Sequence, residues 1–87
     1  MNVDIEQIKK KIIYRSNYRG TKELDLLISS FVNKIINDLN DDEILQLEKF
    51  VNMDDETLIS IKKKELLINF ENSLILNLIE NFQNFKI

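Results

Sequence analysis

The sequence predicts an all-α fold: a small bundle of about five helices in which residues 1–87 form a single helical domain. Three observations predict it. Apolar residues recur at three- and four-residue spacing along almost the whole chain. Proline is absent and glycine occurs once, so nothing forces a break inside the helical segments. No segment has the pattern of a strand.

The first two helices are predicted from apolar stripes on either side of the single glycine. Ile5, Ile8 and Ile12 form the first stripe. The second stripe gives the strongest amphipathic signal in the sequence, with spacing i, i+3, i+4, i+7 and i+11, as a core-facing helix requires. Its members are Leu24, Leu27, Ile28, Phe31 and Ile35. We expect all of them to face the core.

Acidic segments introduce the third and fourth helices. Asn40 and Glu43 have the spacing of an N-cap and a capping-box glutamate. Residues 53–56 restart the chain with carboxylates, which the dipole of a helix N-terminus favours. Two apolar stripes follow these starts, Ile44, Leu47 and Val51 in the third helix and Leu58 and Ile61 in the fourth.

The end of the chain predicts a long fifth helix after a lysine run. Residues 62–64 are three lysines that suit the C-terminal end of the fourth helix, and we interpret them as a solvated face. Leu74 and Leu78 begin the stripe of the fifth helix, which continues through Phe82 and Phe85. Phe70, Phe82 and Phe85 are expected in the core rather than around a ligand. The path between the two helices stays open.

Composition excludes several classes of chemistry. The chain has no cysteine and no histidine, so it has no disulfide, no thiolate zinc site and no Ser-His-Asp or Cys-His catalysis. A metal site would need carboxylates alone. The acidic clusters at 41–43 and 54–56 are expected to be helix caps, with cation binding as the alternative. The net charge of −3 argues against a nucleic-acid-binding surface dominated by phosphate contacts.

The start of the chain and the apolar segments predict no targeting or membrane-spanning element. The first six residues are polar and acidic and lack the apolar core of a signal peptide. The longest apolar stretches, 24–36 and 66–85, are interrupted by polar or charged residues, so neither forms a span of about 20 residues. We therefore expect no direct membrane insertion.

The only glycine lies at the junction of the first two helices, in the sequence Arg19-Gly20-Thr21-Lys22-Glu23. Glycine can adopt positive φ, and it allows a second backbone to approach closely. Arg-Gly-x-x-Glu is therefore interpreted as a helix junction, as a contact surface, or as both. Glu23 has the same two interpretations, because the helix dipole favours a first-turn glutamate in any case.

Polar and aromatic residues precede the glycine. Arg15 and Arg19 lie near the end of the first helix, where a cation is favourable whatever its function. Tyr14 and Tyr18 are interpreted as residues that cover the edge of the core. None of the four predicts a contact site by itself.

Residues 12–28 resemble the signature of the succinate dehydrogenase assembly factor 2 family, the small bacterial and mitochondrial flavinylation factors. That family typically has a Tyr-Arg-Ser-like entry, then Arg-Gly-x-x-Glu, then an apolar helix, and the motif falls here on Arg19, Gly20 and Glu23. Asp54-Asp55 followed by Leu58 resembles a later family element, an acidic pair before a short helix.

The chain departs from the family pattern at three places. Tyr18 stands where many members have a basic residue. Ile61 stands in a helix where many have an aromatic residue, and the run 62–65 replaces a loop that often contains glycine or proline. The motif itself is unaffected.

The resemblance implies an FAD assembly factor, a chaperone rather than an enzyme. It would bind the flavoprotein subunit of succinate dehydrogenase, or of fumarate reductase, and promote covalent attachment of FAD to a histidine of that subunit. The partner-binding residues that it implies are Arg19, Gly20 and Glu23, flanked by Tyr14, Arg15 and Asp25. We expect Arg19, Gly20 and Glu23 to form one surface patch.

The same resemblance implies no catalytic residue and no tightly bound cofactor or metal, because the partner holds the FAD. The expected location is the bacterial cytoplasm. Two other classes stay open: a protein-interaction module of another kind, such as the antitoxin of a toxin–antitoxin pair, and a small helical nucleic-acid binder. The acidic composition weighs against the second.

Overall fold

A computed structural model describes residues 4–65 and 73–86 of the chain. Across these residues it contains five α-helices, one short 3-10 helix at Ile36–Asp38 and no strand, which confirms the predicted all-α fold. The α-helices are α1 (Ile5–Asn17), α2 (Lys22–Ile35), α3 (Asp41–Val51), α4 (Asp55–Lys62) and α5 (Ser73–Asn84). Phe70 and most of the path between α4 and α5, which the sequence leaves open, lie outside the described residues. No helix in the described part of the chain is long and apolar enough to span a bilayer.

Side chains cap the N-termini of α1 to α4, where backbone N–H groups have no partner inside the helix. The caps are Asp4, Thr21, Asn40 and Asp54. At α3 the predicted capping box is confirmed: Asn40 accepts from the Glu43 amide at 2.8 Å, and Glu43 accepts from the Asn40 amide at 3.0 Å. At α4, hydrogen bonds from the side chain and then the backbone of Thr57 hold the pKa of Asp54 below its ordinary value.

The core is centred on three phenylalanines from three different helices. Phe31 of α2, Phe50 of α3 and Phe82 of α5 are fully buried, with ring centroids 5.0–5.9 Å apart. Such tilted and edge-to-face pairs stabilise a core beyond the area they bury. The predicted stripes face this cluster, with Ile12, Leu24, Ile28, Ile44, Leu47, Val51, Leu58 and Ile61 buried and Ile5, Ile8, Leu27 and Ile35 partly buried against it.

The lysine run is not uniformly solvated. Lys63 and Lys64 are exposed, as predicted, but Lys62 is partly buried and donates to main-chain oxygens at the end of α5. The distances from its Nζ are 2.7 Å to Phe82 O, 3.3 Å to Gln83 O and 2.5 Å to Phe85 O. The solvated-face prediction is therefore wrong for Lys62, because the unpaired carbonyls at a helix C-terminus attract a cation. Burial, and then the charges of nearby lysines, lowers the pKa of this ammonium group.

Candidate functional site

The Arg-Gly-x-x-Glu motif occupies the junction between α1 and α2. Residues 18–21 make the turn, Thr21 caps α2, and Glu23 is the second residue of that helix. Thr21 Oγ1 accepts from the Leu24 amide at 3.2 Å, and Leu24 is buried in the core. The start of α2 is therefore fixed from both sides, by its cap and by its first core contact.

The Arg19 side chain points into the protein, with none of its surface exposed. Its Nε donates to Asp55 Oδ1 at 2.9 Å, and Nη2 lies 2.8 Å from the same oxygen. Nη1 donates to Val51 O at 2.5 Å and Nη2 to Met53 O at 2.6 Å. The predicted surface patch is therefore wrong for the Arg19 guanidinium, whose donors are directed at its own chain.

Electrostatics explains why an arginine is held in this position. Val51 ends α3 and Met53 follows its cap, so the guanidinium meets carbonyls at the negative end of a helix dipole. Asp55 is the first residue of α4 and lies at the positive end of another dipole. A buried arginine needs a partner for its charge and for its N–H groups, and this arrangement supplies both. Arg19 thus joins the α1–α2 junction to the α3–α4 junction.

Gly20 is a glycine because there is no room for a side chain, and its backbone conformation does not require a glycine. Its φ is not positive, so the conformational reason for a glycine does not apply. Its amide donates to Asp55 Oδ2 at 3.0 Å. A Cβ at Gly20 would lie 2.6 Å from that same oxygen, a distance that real Cβ contacts essentially never show. The group that approaches Gly20 closely on this side is therefore a carboxylate of its own chain and not a second backbone.

Asp25 also acts within the junction. Its Oδ1 accepts a short hydrogen bond from the Arg19 amide. Two successive amides, those of Arg19 and Gly20, therefore each donate to a carboxylate, the first to Asp25 and the second to Asp55. These bonds fix the backbone of the motif from both sides.

The remaining predicted contact residues lie on the surface. Glu23 and Arg15 are exposed, and Tyr14 is 67% exposed. Tyr18 is 64% exposed, and its ring centroid is 4.7 Å from that of Tyr14. The interpretation that these tyrosines cover the core edge is therefore wrong, because both are exposed and their tilted rings pack against each other at the surface.

A shallow apolar groove of about 200 Å³ lies beside Glu23. One wall comes from the start of α2 and the other from the end of α4. The lining residues are Thr21, Glu23, Leu24, Leu27, Ile59, Lys62 and Lys63. Glu23 thus stands at an apolar surface that has lysines on its opposite wall. One turn further along the same face of α2, Leu26 is 56% exposed.

Asp55 is the residue that sequence reasoning missed. The cap interpretation of residues 54–56 holds for Asp54 alone, whose carboxylate accepts from the Thr57 amide at 2.9 Å. The signal available in the sequence was this surplus: one helix N-terminus needs one capping carboxylate, and a neighbouring acidic residue is free to pair elsewhere. The structure places no group of three or more metal-ligating side chains together in the described residues.

Comparison with known proteins gives a family match and several related sequences. The profile of the family described as flavinator of succinate dehydrogenase matches residues 10–83. The succinate dehydrogenase assembly factor 2-B, mitochondrial, of Drosophila willistoni is 42% identical over 48 residues, which cover 55% of this chain and 31% of the relative. The succinate dehydrogenase assembly factor 2, mitochondrial, of Dictyostelium discoideum is 30% identical over 74 residues, 83% of this chain and 52% of the relative.

The family profile matches most of this chain, whereas the chain matches only part of each relative. The chain spans between about a third and about half the length of these curated relatives. No solved structure gives a significant match. The family profile, however, includes the whole junction and all but the first five residues of α1, and it extends through most of α5. The chain therefore belongs to the flavinator of succinate dehydrogenase family.

Proposed function

We propose that the chain is an assembly factor that binds the flavoprotein subunit of succinate dehydrogenase, or of the related fumarate reductase, and promotes covalent attachment of FAD to that subunit. Family membership and the names of the relatives support this proposal. The partner holds both the FAD and the histidine to which the FAD becomes attached. The chain acts as a chaperone rather than as an enzyme and holds no cofactor tightly. It acts in the bacterial cytoplasm, whereas the relatives named above are mitochondrial.

One observation supports this function most strongly: an exposed glutamate follows a hydrogen-bonded junction and lies beside an apolar groove. Glu23 is exposed in the first turn of α2, while the backbone before it is fixed by Asp25, Asp55 and the Thr21 cap. A contact group whose backbone is already ordered loses little conformational entropy when it binds. A carboxylate in that position can accept charge-assisted hydrogen bonds from the partner.

The predicted contact residues divide into two groups on this proposal. Glu23, Tyr14, Arg15 and the exposed backbone of Gly20 contact the partner directly. Arg19 and Asp25 contribute by fixing the junction, since both bond to their own chain. A factor without histidine or cysteine can then assist the reaction by holding the partner in a productive geometry, and positioning of this kind lowers a barrier by several kcal/mol.

Glu23→Ala tests the proposal. A lost hydrogen bond to a charged group costs about 1.5–3 kcal/mol, so we expect the factor concentration for half-maximal flavinylation to rise about tenfold or more. The free energy of unfolding should fall by only about 0.3–1 kcal/mol, the value of a first-turn charge. The measurements are covalent flavin in the isolated flavoprotein subunit, titrated with the factor, and thermal unfolding of the factor.

Asp42→Ala is the matched control. Asp42 is exposed and is the second residue of α3, as Glu23 is of α2, so both variants lose the same helix-dipole term. Flavinylation by Asp42→Ala should equal that of the wild type. Equal activity of Glu23→Ala and Asp42→Ala would remove Glu23 from the contact surface, and no stimulation by the wild-type chain would contradict the proposed function itself.

A further inference from the structure

We propose that Asp55 is a positioning residue of the partner-contacting surface: by bonding Arg19 and Gly20 to the start of α4, it sets where Glu23 stands relative to that helix. The use of that surface rests on the proposed function. The placement of Asp55 rests on contacts within the chain. No other residue of the described chain bonds both to the Arg19 side chain and to the Gly20 amide.

The two oxygens of Asp55 have separate partners. Oδ1 accepts from the Arg19 side chain at 2.9 Å, and Oδ2 accepts from the Gly20 amide at 3.0 Å. Only a carboxylate offers two acceptor atoms in this geometry, since an asparagine has one acceptor and one donor group. The side chain of Asp55 is 37% exposed, whereas that of Arg19 is completely buried, so the pair is anchored on the arginine side.

Arg19 extends this connection to a third element. Its bonds to Val51 O and Met53 O attach the guanidinium to the segment between α3 and α4. Asp55 is therefore held by a side chain that is itself fixed at the end of α3, and Gly20 is held by Asp55. The start of α2 and the start of α4 thereby share one set of contacts.

Glu23 depends on this set of contacts through a short stretch of backbone. It follows Gly20 by three residues, and the intervening Thr21 is the helix cap. The groove beside Glu23 has its second wall on α4, at Ile59, Lys62 and Lys63. Asp55 begins that same helix, so it fixes the spacing of the two walls. Asp55 is not needed as a cap, because Asp54 has that role.

Asp55→Asn is the test, in the full chain with the isolated flavoprotein subunit. Asparagine has one amide oxygen for the two acceptor positions, and that oxygen stays with the charged Arg19 side chain, so the Gly20 amide loses its acceptor. We expect the factor concentration for half-maximal flavinylation to rise at least tenfold, while the extent at saturation equals that of the wild type. Gly20 is the only glycine, so its amide gives an isolated NMR reporter, and its hydrogen exchange should accelerate at least tenfold. Amides in the middle of α3 should keep their protection.

Asp54→Ala is the control for stability alone. It removes the cap of α4 and lowers the melting temperature, but it breaks no bond to Arg19 or Gly20, so the half-maximal concentration should not change. If Asp55→Asn does not fold, Arg19→Lys is the second variant. Lysine keeps the positive charge but lacks the several N–H donors of the guanidinium, so the factor concentration for half-maximal flavinylation should rise.

The outcomes separate the two proposals. In one outcome the wild-type chain stimulates flavinylation, and Asp55→Asn has a half-maximal concentration within twofold of the wild type although its Gly20 amide exchanges faster. That outcome would overturn the role of Asp55 and leave the proposed function standing. An unchanged Gly20 amide in Asp55→Asn would also overturn it, because the contact would not restrain the junction. No stimulation by the wild-type chain would contradict the proposed function and the positioning role with it.

Discussion

At the scale of single residues, the motif is explained by the space around Gly20. The carboxylate of Asp55 occupies the position of a side chain there, at 2.6 Å from an ideal Cβ. A carboxylate is the end of a flexible side chain and could move aside, but this one is held by Arg19. Any side chain at Gly20 would therefore displace the Asp55 carboxylate and disturb its bonds to Arg19.

A double-mutant cycle between Gly20→Ala and Asp55→Ala tests this explanation. Each single variant disturbs the same contact, so the two losses in free energy of unfolding should not add, with a coupling of about 0.5–3 kcal/mol. The measurement is denaturant unfolding of the wild type, both single variants and the double variant. Additive losses would show that Gly20 is required for a reason unrelated to Asp55. If Asp55→Ala is unfolded, Asp55→Asn takes its place in the cycle, with coupling of the same sign.

The sequence could predict the exposed part of the motif but not its internal part. Glu23 follows a cap by two residues, and its place in the first turn of α2 depends on near neighbours alone. Arg19 and Asp55 are 36 residues apart, and their pairing depends on how three helices pack. Nothing in the local pattern distinguishes an arginine that points inward from one at the surface.

At the scale of elements, helix starts were predictable and one helix end was not. The capping box of α3 lies within four successive residues, so the sequence contains all of its information. The end of α4 is a Schellman motif, in which Lys64 N donates to Ile61 O and Glu65 N to Ser60 O, both at 3.0 Å. The residue in the left-handed conformation is Lys64, with φ of 60°, where glycine is usual. A lysine run gives no sign of such a conformation.

Lys64→Gly should therefore stabilise the protein. A left-handed conformation costs a residue with a Cβ about 1–2 kcal/mol, and the greater entropy of glycine in the unfolded chain offsets about 0.5–1 kcal/mol of that. The expected net gain is about 0.5–1 kcal/mol in the free energy of unfolding, or a few degrees in melting temperature. Thermal unfolding followed by circular dichroism measures it.

Lys63→Gly is the control for this substitution. Lys63 is the C-cap of α4 with φ of −81°, so glycine relieves nothing there and should destabilise. Opposite signs for the two adjacent variants would confirm the strain at Lys64. A loss of stability in both would contradict it.

At the scale of the whole molecule, α5 is joined to the other helices by packing and by polar contacts. Phe82 packs on Phe31 and Phe50, so it connects α5 with α2 and α3. Lys62 of α4 donates to main-chain oxygens at the end of α5, and Gln83 of α5 donates to Ile61 O of α4 at 3.0 Å. A helix attached in this way to three others should not unfold by itself. The described helices are therefore expected to unfold together.

Phe82→Ala tests whether the helices share one transition. Truncating a buried phenylalanine costs about 3–5 kcal/mol. A chain of this length has a total stability of roughly 4–13 kcal/mol, so the loss is a large fraction of it. Leu76→Ala is the control on the same helix, since Leu76 is 41% exposed and its truncation should change stability by no more than about 0.5 kcal/mol.

The measurements are urea unfolding by circular dichroism and residue-specific hydrogen exchange. In Phe82→Ala, amides of α2, α3 and α5 should lose protection by the same amount in free energy, because the ring contacts all three helices. Exchange that accelerates in α5 alone, with α2 and α3 still protected as in the wild type, would show that α5 is a separate unit and that the aromatic cluster does not couple it to the rest.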